Sequence, residues 1–198
     1  MTETPIARPA GDHSRIVNHV LAPSPGVYAI DPVHTFVGFV AQHLVVGRVR
    51  GRFERVAGTV TIADELTESS LEVTVETASI STLFGARDED LRSDRFLDCD
   101  AHPTMTYRST SIVEQPRGEW RVLGELTVRG ITKPVPLTVH FGGSTTDSQG
   151  EPRAAFTARG TLTRSEFGVV AELEAESGSV RIGDDITLEI EAEATLSR

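Results

Sequence analysis

The sequence predicts an all-β protein of antiparallel strands whose sheet either closes into a barrel or folds into a two-sheet sandwich. Three observations carry this. Most of the 198 residues fall into runs of matched length in which apolar and polar residues alternate, the period of a half-buried strand. The clearest run is the last, where Ile186, Leu188, Ile190 and Ala192 alternate with Thr187, Glu189, Glu191 and Glu193. Only one short segment has helical spacing, so no helical layer is available to cover the apolar face and the sheet must cover itself. A barrel of about eight strands is just wide enough to hold one small ligand, which makes a container the leading expectation.

In chain order, residues 1–26 carry prolines, Glu3 and Asp12 without alternation. They are predicted to be a flexible N-terminal tail, with 16–21 at most a weakly ordered turn packed on the domain formed by 27–198. Residues 27–30 open that domain, and Pro32 interrupts it before a strand over 35–43. Gly38 and Gly47 mark expected bends or bulges of the kind that barrel closure requires. Runs 50–53 and 57–62 read as a strand pair, 64–69 as a polar turn, and 71–77 as the returning strand. Residues 87–92 have helical spacing, with Asp88 four positions before Arg92. Phe84, Leu91, Phe96 and Leu97 supply the apolar area to hold this short cap against one barrel end. After Pro103 the hairpins resume over 104–109, 120–128, 135–141, 154–163 and 186–194, with turn signals at 116–118, 147–150 and 177–178.

Composition excludes several function classes. Nineteen Lys and Arg against 29 Asp and Glu give a formal charge of −10, which repels phosphate backbones and anionic bilayers, so no nucleic-acid partner is expected. The single cysteine, Cys99, excludes an internal disulfide, and Asp98 and Asp100 on either side disfavour its thiolate. No stretch approaches the roughly 18 apolar residues of a transmembrane span. The N-terminal residues lack the apolar run of a secretory signal, so the expected compartment is the cytoplasm.

No constellation of catalytic or metal-binding residues stands out. His34 and His43 stand at an odd offset, nine positions apart, and point to opposite faces of a regular strand, while His13, His19, His102 and His140 are scattered. No metal and no cofactor are therefore expected, and His34 is expected to bond the turn at Asp31 and Pro32. Ser79 and Ser81 lack the G-x-S-x-G elbow that exposes a nucleophile. The charges of 87–100 alternate in sign, which predicts a solvated ion-pair network orienting the cap.

Four stretches in order carry a resemblance. They are Tyr28-x-x-Asp31-Pro32-x-His34-Thr35 with Phe39, His43 and Gly51-x-Phe53; Arg87-Asp88-x-x-Leu91-Arg92-Ser93 with Phe96, Pro103 and Tyr107; Gly124-x-Leu126-Thr127-Val128-Arg129-Gly130-Ile131-Thr132-Lys133-Pro134; and Arg164-Ser165-Glu166-Phe167-Gly168. Over 27–194 the chain resembles the YceI-like polyisoprenoid-binding family. The resemblance implies an extended lipocalin-like antiparallel barrel of eight strands with a short helical element, enclosing a tunnel for a long isoprenoid or similar lipid, and no catalysis. Two features depart from the family: Thr35 stands where Ser is usual, and the signal peptide of many relatives is not expected here, since the N-terminal residues lack its apolar run.

Burying a methylene is worth about 0.8 kcal/mol, so a chain of several isoprene units binds tightly without a specific polar contact. The lining nominees are Val37, Phe39, Ala41, His43, Leu71, Val73, Val75, Met105, Tyr107, Leu126, Val128, Leu137, Val139, Phe156, Ala158, Leu188 and Ile190. Thr35, His43 and Arg50 are nominated as polar groups at the mouth. The expected function is binding, sequestration or carriage of a polyprenyl chain, an isoprenoid quinone or another long-chain lipid. Two readings of the same parity stay open: an enzyme acting on an isoprenoid or fatty amide in the cavity, and an interaction module whose barrel is filled by side chains. Exposed strand edges and an apolar mouth also fit a homodimer.

Overall fold

The computed structural model describes residues 13–43, 47–170, 173–175, 178–180 and 182–197. A hairpin of β1 (Ser14–Val17) and β2 (Val20–Pro23) comes first. It is followed by β3 (Gly26–Ile30), β4 (Phe36–His43), β5 (Gly47–Phe53), β6 (Val56–Ile62), β7 (Ser70–Glu76), β8 (Ile80–Ser81) and the helix α1 (Gly85–Arg92). The remaining strands are β9 (Thr104–Gln115), β10 (Glu119–Val128), β11 (Ile131–Pro134), β12 (Leu137–Thr146), β13 (Pro152–Thr163), β14 (Leu173–Ala175), β15 (Gly178–Val180) and β16 (Ile182–Leu196). Neighbours in the main sheet run β3, β6, β7, β9, β10, β12, β13 and β16, and β16 returns to β3. Over the described residues the fold is thus the predicted closed antiparallel barrel of eight strands with one short α-helix.

The length of β16 lets it serve two neighbours on one side. Its residues Ala194, Thr195 and Leu196 pair with Ile30, Ala29 and Tyr28 of β3, while Ile186 through Glu191 pair with Ala41 through Phe36 of β4. From β4 the wall continues through β5 to β8, whose Ile80 and Ser81 face Phe53 and Arg52. The register shifts beside Leu123 and Gly124, beside Phe141 and Gly143, and between Ile182 and Ile186. The bulges expected at Gly38 and Gly47 are not among them, because β4 pairs with β5 without a break from Val37–Phe53 to His43–Gly47. Gly38 answers a different need: the Phe36 ring lies over it, 2.2 Å from where a Cβ would sit.

The expected 1–26 tail is corrected over 14–23. That hairpin packs on one end of the barrel, where Ala22 has no exposed surface and shares a cluster with Tyr28, Ile62, Leu66, Trp120, Ala154 and Ala194. Two four-residue strands are too short for alternation to show in sequence. The opposite end is filled by Phe96, Val135, Phe167 and Val169, with Leu91 of α1 against them.

The charged run also differs from its expected ion-pair network. Asp88 is buried and accepts from the Thr82 amide at 2.8 Å and the Thr82 hydroxyl, while Arg92 donates to the carbonyls of Ala78 and Ile80 at 2.8 and 2.7 Å. Arg87 donates to the Thr82 hydroxyl and carbonyl at 2.7 and 3.1 Å. Only β8's two residues are laddered here, so the side chains satisfy backbone groups that strand pairing leaves open. An ion pair of the expected type does join Arg95 to Asp90 at 3.2 Å.

Asp31 staples the barrel. It accepts from the Val33 amide at 2.9 Å and from Arg153, and its Oδ2 lies 2.9 Å from Nδ1 of His34. Arg153 also reaches Asp147 and Glu193, each at 3.3 Å, so one cluster ties the β3–β4 corner, the β12–β13 turn and β16. His34 and Arg153 hold the Asp31 carboxyl well below the usual carboxylate range. A depressed folded pKa contributes stability that is complete above the ordinary Asp value of about 3.9 and is lost as pH falls through the folded value. Asp31→Asn is expected to cost about 2 kcal/mol at neutral pH and to flatten the acid limb of the stability profile. Denaturant melts over a pH series measure both, and superimposable wild-type and variant profiles would contradict the staple.

Candidate functional site

The inward faces of the strands enclose a cavity of about 330 Å³. It extends from Pro23, Ile62, Leu66 and Trp120 at the hairpin end to Leu91, Phe167 and Val169 at the α1 end. Alternation sets its chemistry: along β7 and β16, Glu72, Thr74, Glu189 and Glu191 face water while Leu71, Val73, Leu188 and Ile190 face inward. Those inward side chains are only half-buried, as are Leu126, Val139 and Phe156. Inward side chains that keep accessible surface border empty space, whereas a filled core would bury them completely.

Val37, Phe39, Ala41, Leu71, Val73, Val75, Met105, Tyr107, Leu126, Val128, Leu137, Val139, Phe156, Ala158, Leu188 and Ile190 all lie on this lining. Ala41, Val75, Tyr107, Val128, Leu137 and Ala158 are buried and make its packed walls; the others border the open space. The backbone of His43 ends β4, but its side chain lies outside the described residues. Thr35 is on the lining, and its hydroxyl donates to the Glu193 carbonyl at 3.4 Å. Arg50 is not at a mouth: it is exposed on the outer face of β5, beside Arg48, Asp185 and Glu189.

Val49, Phe53, Val60, Ile112, Trp120 and Phe141 line the cavity without having been nominated. A signal for two of them was available, since Arg48, Arg50 and Arg52 alternate with Val49, Gly51 and Phe53 and place the latter three inside. Ile112 was hidden by the register shift in β9–β10, which reverses parity beyond Ser109.

Tyr107 and Arg164 of the lining hold the wall. Tyr107 donates to the Val135 carbonyl at 3.0 Å, and burial pushes its phenol up to about 12. Arg164 is buried and donates to the carbonyls of Val169, Ile182 and Gly183 at 2.7, 3.1 and 3.2 Å. Cys99 is buried too, and desolvation raises its thiol pKa, with Asp98 and Asp100 adding less. Among the described residues no three His, Cys, Asp or Glu side chains are grouped as a metal would need. His34 is spent on Asp31, and His140 lies 3.0 Å from Glu119 on the outer surface. No helix of the described residues is long and apolar enough to cross a membrane.

A closed antiparallel barrel around an alkyl-lined cavity defines the class of the fold. The chain belongs to the YceI-like family, whose domain matches residues 28–194. Protein YceI of Salmonella newport is 36% identical over 151 residues, covering 75% of this chain and 78% of that protein. The crystal structure of Burkholderia cenocepacia BcnA superposes with a TM-score of 0.72 at 18% identity, over 84% of this chain and 99% of the other. A polyisoprenoid binding domain from Saccharophagus degradans, implicated in plant cell wall breakdown, superposes with a TM-score of 0.62 at 11% identity, over 86% and 98%. At these identities the two structures share the fold.

The Tyr107 ring occupies the space over Gly124, where a Cβ would lie 2.4 Å from the phenol and 2.8 Å from the Arg108 carbonyl. Gly124→Ala is therefore expected to destabilise by about 1–3 kcal/mol through overpacking. Tyr107→Phe, which removes the hydroxyl shared between the Val135 and Val122 carbonyls, is expected to cost about 1 kcal/mol. In urea melts, Gly124→Ala combined with Tyr107→Leu should cost less than the sum of the single changes. Strict additivity would place the ring away from Gly124.

Proposed function

We propose that the protein is a non-catalytic binder of a long-chain isoprenoid, such as a polyprenyl chain or an isoprenoid quinone, or of a similar lipid, which it sequesters or carries in the barrel interior. The observation that carries this reading is the hollow middle of the barrel, lined by alkyl and aromatic side chains that remain half-buried. Affinity in such a space comes from transferring the chain out of water, about 0.8 kcal/mol for each methylene, and needs no directed polar contact. The Saccharophagus domain of the same fold is a polyisoprenoid binding domain, which favours an isoprenoid among the candidate lipids.

Turnover would require an acid, base or nucleophile free to meet the ligand. Tyr107 is tied to a carbonyl with its phenol kept protonated, and Arg87 and Arg164 donate to the wall. These engagements support binding over chemistry. The half-buried lining likewise supports a container over a filled interaction module.

Val139 tests the reading because it faces the cavity between Trp120 of β10 and Ala158 of β13. Adding bulk to a filled core costs about 1–3 kcal/mol, whereas a ring placed in a void takes up the space that the lipid fills. Val139→Trp is expected to keep near-wild-type stability when both proteins are delipidated, and to lose most displacement of a fluorescent prenyl probe. A destabilised variant whose folded fraction binds the probe as wild type does would contradict the container.

A further inference from the structure

The β1–β2 hairpin closes one end of the cavity, and it precedes the matched family domain, which begins at residue 28. Its packing is that of an end wall. Ala22 is 0% exposed, and Tyr28, Ala154 and Ala194 against it are at 1% or less, in contrast to the half-buried lining of mid-barrel. Pro23, the last residue of β2, itself lines the cavity near Leu66 and Trp120.

Polar bonds hold the hairpin in place. Arg15 of β1 donates from Nε to the Pro23 carbonyl at 3.2 Å and from Nη2 to the Ala63 carbonyl at 2.6 Å, so one guanidinium joins both hairpin strands to the end of β6. The Tyr28 hydroxyl donates to the Ser24 carbonyl at 2.8 Å, and Asn18 in the hairpin turn donates to Glu114 at 3.1 Å. The turn residues Asn18 and His19 both have positive φ, 49° and 66°, the pairing that favours a tight hairpin. The charged members of the lining, Arg87 and Arg164, belong to α1 and to the short turn after β13, near the opposite end.

We infer that the hairpin is the blind end of the cavity, against which the apolar terminus of a bound chain stops, and that Pro23 sets the longest chain accepted. The inference rests on the container reading. A hydroxyl or phosphate pushed into this sealed apolar end would lose its water without gaining a partner, whereas a methyl terminus loses nothing there. A chain too long for the space must leave methylenes in water, and each one left out lowers affinity by about fourfold relative to its burial.

Trp120 is the chain's sole tryptophan and lies in the cluster beneath the hairpin, so it reports on this end directly. The test uses the full chain and straight-chain alcohols of increasing length. Wild type should gain affinity with length up to a limit, and an alcohol brominated at its terminal carbon should quench Trp120 more than one brominated beside the hydroxyl. Pro23→Phe should move the limit to shorter alcohols, by about fourfold in affinity for each methylene excluded. A folded Pro23→Phe protein with the wild-type length profile overturns the hairpin as ruler, and stronger quenching by the hydroxyl-side bromine overturns the orientation even if the variant fails to fold. If wild type binds no alcohol of any length, the container reading itself fails and takes this inference with it.

Discussion

The ladder between β13 and β16 closes the barrel. It runs from Arg153–Thr195 to Thr163–Asp185 and joins the two ends of the sheet, so the row of amides and carbonyls that would otherwise be an open edge is paired. Closure also fixes the inside. Once β13 and β16 are in register, Phe156, Ala158, Ile190 and Leu188 must share one face with the inward residues of every other strand, and the apolar face is turned to the interior. The Asp31–Arg153–Glu193 cluster sits at one end of this ladder, where the first residue of the pairing on β13 meets the β3–β4 corner.

Closure leaves a hollow because eight strands set a circumference that these side chains do not fill. Glycines at 51, 124 and 160 let neighbouring rings and alkyl groups lie flat against the wall, as the close approaches of Phe39, Tyr107 and Leu137 show. The two ends are packed by different means. At one, Phe96 and Phe167 come from the segment after α1 and the turn after β13; at the other, the hairpin brings Ala22 and Pro23 over Tyr28 and Trp120. The stretches that carry the family resemblance are mostly wall and corner fittings: Asp31, Arg164, Phe96, Phe167 and Gly124 hold the barrel in shape, and the cavity's character comes from alternating residues between them.

The barrel was legible in sequence because strand parity and burial share one period. Leu71, Val73 and Val75, or Leu188 and Ile190, could be assigned to the interior with no knowledge of their partners. Features that depend on distant contacts were not legible. Asp88 reads as a surface charge until the fold places it against Thr82, and Arg92 reads as its i+4 partner until the carbonyls of Ala78 and Ile80 come within reach. The hairpin over 14–23 has too few alternating positions to announce itself and owes its structure to the barrel end it covers. Arg50 is a local case: its alternation with Val49 and Gly51 already points the guanidinium outward, away from the expected mouth.

Whether the closed barrel holds a long apolar chain is decided by the contents of the protein as purified. Organic extraction followed by mass spectrometry, with native mass spectrometry of the intact protein, identifies what the cavity holds and in what ratio. A long-chain isoprenoid or comparable lipid is expected, bound in stoichiometric amount or taken up on incubation. A protein that yields no lipid, takes up none, and in an experimental structure has its interior filled by its own side chains would contradict it.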